Sequence, residues 1–301
     1  MWETPLVRSY ALSEASRADV YLKLENVQFT GSFKLRGAIN ALSLLARSSP
    51  GRNVLTVSAG NHGRAVALAA EIFDLAATII VPRSAPRTKI EAIARHRVRL
   101  ILRGENYDEA ERHARELAAT SDAVFISPYN DREVICGQGT VALEMLEAVP
   151  SLDIILVPVG GGGLLAGVAL AAKSLNPKIA VYGVQSENSP AMYESLRAGR
   201  IVQIVEKESL ADGLAGNIEP GSMTFPLVER YADGVILVSE HAIADAIRFL
   251  LEHEHLVVEG AGAVAVAALL SRAFERPGAR IGVILSGSNI DLEQLLRVAA
   301  G

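Results

Sequence analysis

Lys34 stands where an amine could do chemistry. It lies in Ser32-Phe33-Lys34-Leu35-Arg36-Gly37, at the opening of a helical pattern, with Ser32 expected to cap the helix. A lysine beside other cations and helix-terminal amides can have its pKa lowered, which makes the amine nucleophilic. Alone, such a lysine is most often a surface charge.

Three turns at strand ends give it a context. Ser58-Ala59-Gly60-Asn61-His62-Gly63 follows an apolar run and opens a helix. Its small residues let the backbone approach a ligand, and bare amides at a helix start favour an anion such as a carboxylate. An ordinary turn capped by Asn61 is the competing reading. Gly160-Gly161-Gly162-Gly163-Leu164 is the second turn. Four glycines there serve neither helix nor strand stability, because each costs backbone entropy. They leave a row of amides suited to a phosphate. The pattern is neither the GxGxxG dinucleotide fingerprint nor a Walker A loop, so a lone phosphate is implied. Ser286-Gly287-Ser288-Asn289 is the third, with Ser286 at a strand end. An amine together with a monophosphate cradle is what pyridoxal phosphate requires of its protein.

The elements that must position these turns alternate along the chain. Apolar runs at 20–24, 54–57, 77–81, 98–102, 124–126, 154–158, 179–184 and 281–285 read as strands. Amphipathic stretches at 33–46, 62–73, 88–94, 108–119, 139–148, 164–174 and 242–252 read as helices. Such alternation predicts βαβ units and a mainly parallel sheet, with one sheet or two left open. In open α/β folds, ligands sit beyond the carboxyl ends of strands, where all three turns fall.

Composition sets the outer bounds. Half of the 301 residues are hydrophobic and 21% charged, a globular balance. A net charge of −5 offers no nucleic-acid footprint, and the arginines around His96 read as a solvated helix end. The lone Cys136 excludes an internal disulfide and fits a reducing cytoplasm. No leader pattern opens the chain, so secretion is not expected. The uncharged stretch 154–172 raises the membrane question, but Pro158 and the glycines make it a strand, turn and helix. His253-Glu254-His255 alternates in a way that does not converge two imidazoles on a metal, and no metal site is expected.

In combination and in order, the motifs resemble those of the threonine/serine dehydratase and serine racemase branch of fold-type II pyridoxal-phosphate enzymes. They are Gly31-Ser32-Phe33-Lys34-Leu35-Arg36-Gly37-Ala38, Ser58-Ala59-Gly60-Asn61-His62, the glycine quartet and Ser286-Gly287-Ser288-Asn289. The resemblance runs from Thr4-Pro5-Leu6 to the final helix. It implies two three-layer α/β domains of the tryptophan-synthase-β kind, with mainly parallel sheets. Residues 1–52 and 132–301 would form the large cofactor-binding domain, and 53–131 the small substrate-side domain. A homodimer is implied as well.

By the same resemblance, Lys34 would hold the cofactor and, once freed by substrate, move the Cα proton. Phe33 would pack on the pyridine ring and Asn61 would bond the ring hydroxyl. The glycines at 160, 161, 162 and 163, with Leu164, would hold the phosphate. Ser286 would face the pyridine nitrogen, where a neutral hydroxyl favours β-elimination over transamination. Ser58, Ala59, Gly60 and His62 would meet the substrate, with Ser58 and His62 at its carboxylate. Asn130 and Asp212 would line the substrate end, although Asp212 is equally a turn residue before Gly213. Glu259 lies near the ring in relatives or is simply a helix-terminal carboxylate.

Departures from the family pattern narrow the activity. Racemases of the branch have a serine where this chain has Ala59, so elimination of water from a small β-hydroxy amino acid is expected and racemisation is the alternative. Gln185 and Ala191 stand where cation-binding members have acidic residues. Asn217 and Glu219, in an unusual loop, either read a polar substrate end or form a turn. The chain ends soon after Ser286, so control through a C-terminal regulatory domain is not expected.

Overall fold

The computed structural model describes residues 1–301, except for the side chains at 107 and 108. The chain divides into two compact units. Lys34–Gly137, with Met1, forms an inserted unit, and Trp2–Phe33 with Gln138–Gly301 forms a flanking unit.

The flanking unit begins with β1 (Leu6–Arg8), α1 (Tyr10–Ser16) and β2 (Asp19–Lys23). The inserted unit follows with α2 (Lys34–Ser48), β3 (Val54–Val57), α3 (Asn61–Ile72), β4 (Ala77–Val81) and α4 (Arg87–Ala94). It continues through β5 (Arg99–Leu102), α5 (Tyr107–Ala119) and β6 (Val124–Phe125). Next, α6 (Arg132–Ala148) starts in the inserted unit and returns the chain to the flanking one. There follow β7 (Ile154–Pro158), α7 (Gly163–Leu175), β8 (Ala180–Ser186), α8 (Ala191–Ala198), α9 (Thr224–Tyr231) and β9 (Gly234–Val238). The last elements are α10 (Glu240–His253), α11 (Gly260–Leu270), β10 (Arg280–Ile284) and α12 (Leu292–Ala300).

Each unit has its own sheet. In the inserted unit the order is β5-β4-β3-β6, all parallel. Side chains alternate across it: Leu55, Val57 and Ile80 join Ala110 and Ala114 of α5, while Ile79 and Val81 join Ala67 of α3 and Ile93 of α4. With both faces covered, β3 is buried at every position, as parallel strands require.

In the flanking unit the order is β1-β2-β10-β7-β8-β9, parallel except for β1 against β2. Ile154, Leu156, Val184, Ile281 and Val283 share a core with α10 and α11. On the other face, a Cβ at Gly183 would lie 2.8 Å from Leu165 of α7, so a glycine lets that helix settle on the sheet. Helix α11 is buried nearly all round (Gly260 to Leu269) and therefore shows no polar face.

The stretch at 154–172 is strand, glycine turn and helix, and no helix among the described residues is long and apolar enough to cross a membrane. Helix α6 starts well before the expected 139, because the Asp131 carboxylate accepts from the amides of Glu133 (2.8 Å) and Val134 (3.0 Å) and caps it. Ser32 does not cap α2: its hydroxyl is buried without a hydrogen-bond partner among the described residues.

Candidate active site

In the inserted unit, β3 ends at Val57 and α3 begins at Asn61 with Gly60 in the capping position, where no side chain caps it. Asn61 is thus the first helical residue and not a cap. The turn is tight. Ser58 donates its amide to Ile80 O (3.1 Å), and its hydroxyl accepts from the Gly60 amide (3.1 Å). A Cβ at Gly63 would lie 2.6 Å from the Ser58 carbonyl oxygen. The first intrahelical bond runs from Arg64 N to Gly60 O (3.2 Å), so the preceding first-turn amides have no acceptor within the helix. They and the helix dipole make an anion-attracting end.

Lys34 opens α2 and donates from Nζ to the carbonyl oxygen of Pro128 at 2.8 Å. That carbonyl follows β6, in a segment held from beneath. The Thr56 hydroxyl donates to Ile126 O (2.8 Å), and His62 Nε2 lies 3.2 Å from the same oxygen. Because a carbonyl only accepts, Nε2 carries the proton and Nδ1 is a bare lone pair. Nδ1 is buried and unpartnered among the described residues. Burial above all, and then the charge of Lys34, lowers the His62 pKa to about 3, against a smaller opposing effect of the Ile126 bond. The ring therefore has no proton to offer a carboxylate. Asn130, half-buried, donates its amide to the Ser127 hydroxyl at 3.0 Å and closes the turn around Pro128.

In the flanking unit, the glycine turn links β7 to α7. Gly162 has φ +91°, and a Cβ on it would lie 2.7 Å from Met192 Cε and 3.0 Å from Thr224 Cβ. A Cβ at Gly160 would lie 2.8 Å from the Leu214 carbonyl oxygen. Conformation disfavours a side chain at Gly162, and the Leu214 backbone leaves no space for one at Gly160. Gly163 and Leu164 form the buried first turn of α7, whose amides lack intrahelical acceptors. The Asp212–Leu214 turn thus packs beside the glycine turn, with Asp212 itself exposed.

Ser286 is buried just beyond β10, and its hydroxyl reaches Ala261 O at 3.3 Å. Its carbonyl accepts from the Phe33 amide (3.0 Å), and Ser32 pairs with Gly287, so buried Phe33 lies alongside Ser286. The Glu259 carboxylate accepts from Asn289 N at 3.1 Å and ties down this turn. Asn217 bonds both polar groups of Ile204 (2.7 and 3.2 Å) and Glu206 (3.0 Å), which commits its amide to the loop.

The sequence singled out neither Pro128, Thr56, Ser222 nor Thr224. Pro128 and Thr224 are each joined to a motif residue far away in the chain, Thr56 to Ile126 and Ser222 to Thr224, and no local pattern marks them. Taken by itself, the glycine turn is a cradle that a Cβ would fill and fits a phosphate, and the Lys34 amine is the group that an aldehyde needs.

Known proteins match the chain closely. A family model described as pyridoxal-phosphate dependent enzyme covers residues 1–287. The L-threonine ammonia-lyase of Thermotoga maritima is 47% identical over 295 residues, spanning 98% of this chain and 73% of that protein. Among solved structures, the processed threonine deaminase isoform 2 of Solanum lycopersicum superposes with a TM-score of 0.94 at 35% identity, over 99% of this chain and 88% of that one. Maize serine racemase does so with 0.92 at 36% identity, over 98% and 91%. The chain belongs to the pyridoxal-phosphate-dependent enzyme family. Within it the protein is an ammonia-lyase, with pyridoxal phosphate as its cofactor.

Proposed function

We propose that the protein dehydrates L-threonine and, as a second substrate, L-serine, releasing a 2-oxo acid and ammonia. The observation that carries this reading is the Lys34–Pro128 bond, which holds a primary amine in the same unit as the anion-attracting end of α3. A proton-moving group and a carboxylate-holding backbone are what elimination from an amino acid needs. The relatives named as threonine ammonia-lyase and threonine deaminase support the substrate.

When bound, pyridoxal phosphate supplies an electron sink for the charge that develops at Cα. The first-turn amides of Gly163 and Leu164, with the glycine turn before them, would hold its phosphate. Phe33 would pack on its ring, Asn61 would bond the ring hydroxyl, and the neutral Ser286 hydroxyl would face the ring nitrogen. The amides around Asn61 and His62, with the Ser58 hydroxyl, orient the substrate carboxylate beside Ala59 and Gly60. Asn130 and Asp212 border the side-chain end. Lys34 Nζ would remove the Cα proton and pass it to the departing β-hydroxyl, so that the Cα–H and Cβ–O bonds break and the two groups leave as water. The released enamine takes up a proton at its β-carbon and is hydrolysed to the 2-oxo acid and ammonia. Division into a cofactor-binding and a substrate-side part, homodimer assembly and a cytoplasmic location complete the proposal.

The test is 2-oxo acid release from the purified holoenzyme across β-hydroxy amino acids of both configurations. Turnover of L-threonine, with lower turnover of L-serine and loss of at least a thousandfold in Lys34→Ala, is expected, on the order of a removed acid–base group. Turnover retained in Lys34→Ala sinks the assignment. Enantiomer interconversion without 2-oxo acid favours the racemase reading, against which Ala59 offers no proton-bearing side chain.

A further inference from the structure

We propose that Thr224 is a positioning residue for the phosphate cradle, fixing the orientation of one peptide plane in the glycine turn. This rests on the assignment of that turn to the cofactor phosphate. The Thr224 hydroxyl lies 2.6 Å from the carbonyl oxygen of Gly161, and Thr224 is fully buried. The carbonyl accepts only, so the hydroxyl proton is committed to Gly161. The Ser222 hydroxyl, 2.8 Å from Thr224 Oγ1 and also buried, must then be the donor to it. The result is a directed relay from Ser222 through Thr224 to the glycine turn.

Peptide geometry gives the relay its consequence. In a trans peptide the carbonyl of one residue and the N–H of the next point in opposite directions. Holding Gly161 O toward Thr224 therefore aims the Gly162 N–H away from Thr224. With glycine on both sides of that bond, little else opposes rotation of the plane about its flanking dihedrals. A flipped plane would present a carbonyl oxygen in place of a donor, and a phosphate would be repelled. Gly162 at φ +91° and its close approach to Thr224 Cβ belong to the same arrangement, with the threonine filling the space that a side chain at Gly162 would take. Thr224 sits 63 residues from Gly161, at the start of α9, so the contact is made by helix packing and not by a local motif.

The experiment titrates pyridoxal phosphate into apo protein and reads dissociation constant, phosphorus NMR resonance of the bound cofactor, and apo melting temperature. Thr224→Val keeps shape but loses the hydroxyl; about a tenfold loss of affinity is expected, the scale of one hydrogen bond, with a displaced phosphorus resonance. Thr224→Ser restores both. Ser222→Ala leaves the Thr224–Gly161 bond in place and shifts the same resonance with a smaller loss, and it carries the test should Thr224→Val fail to fold. Gly162→Ala serves as the control for the cradle itself and weakens binding at least as much as Thr224→Val. Wild-type affinity and resonance in Thr224→Val and Ser222→Ala, with binding weakened in Gly162→Ala, overturn the positioning role alone. Unchanged affinity in Gly162→Ala as well overturns the cradle assignment and the inference together. A lower apo melting temperature with an unmoved resonance marks Thr224 as merely structural and also overturns it.

Discussion

His62 shows how one buried side chain limits the chemistry around it. Its Nε2–H is committed to Ile126 and its Nδ1 has no partner, so the ring stays neutral, with a pKa near 3 against 6.5 for a free imidazole. Between those values the unfolded chain binds a proton that the folded chain refuses. Stability from this group is complete above pH 6.5 and is lost as pH falls toward 3, at up to about 1.4 kcal/mol per pH unit. Urea unfolding of the wild type and His62→Gln across this window should show the steeper acid loss only in the wild type. Equal slopes would mean that the ring is not buried as described. The same residue also bears on the site, because it and Thr56 hold the Ile126 carbonyl two residues before the oxygen that accepts from Lys34.

Among elements, β2 and α6 are joined by a charge pair between a buried lysine and a half-buried glutamate. Lys23, 1% exposed, donates to Glu144 (2.5 Å) and to Thr4 O (2.6 Å). Lys23→Met takes the lysine from the half-buried Glu144 carboxylate and is expected to cost about 1–3 kcal/mol in chemical denaturation. Adding Glu144→Leu should recover most of that loss, because an apolar pair avoids the desolvation penalty. A double variant no better than the single one would place the cost in packing and not in charge. Elements also bring the site's supports together: α9 carries Thr224 to the glycine turn, and the segment after β6 carries Pro128 to Lys34.

For the whole molecule, cofactor and stability are linked. Pyridoxal phosphate that binds the folded chain alone stabilises it by about 2.7 kcal/mol at a free concentration one hundred times Kd. The melting temperature of the apo protein should therefore rise with added cofactor, and rise less in Lys34→Ala, which keeps the cradle but loses the covalent attachment. A melting temperature indifferent to cofactor in the wild type would contradict the fit of the donor set. The two units have separate sheets and separate cores, so calorimetry can also show whether they unfold in one transition or two.

By itself the sequence determined the class of fold, the cofactor and the turns that carry Lys34, Asn61, the glycines and Ser286. Those features are local: a strand end, a few small residues and a helix start are contiguous in the chain, and the turn is the chemistry. Helix α11 carries no legible pattern because burial on all sides leaves no polar stripe, and the start of α6 at Arg132 rests on its cap, Asp131, ahead of the amphipathic stretch that begins at 139. Tertiary structure alone decided that Asn217 serves its own loop, that His62 is a neutral donor to a carbonyl, and that Thr224 and Pro128 meet the glycine turn and Lys34. The contacts of His62, Thr224 and Pro128 depend on partners remote in the chain, 94 residues apart for Lys34 and Pro128, and periodicity carries no information about contacts at that range.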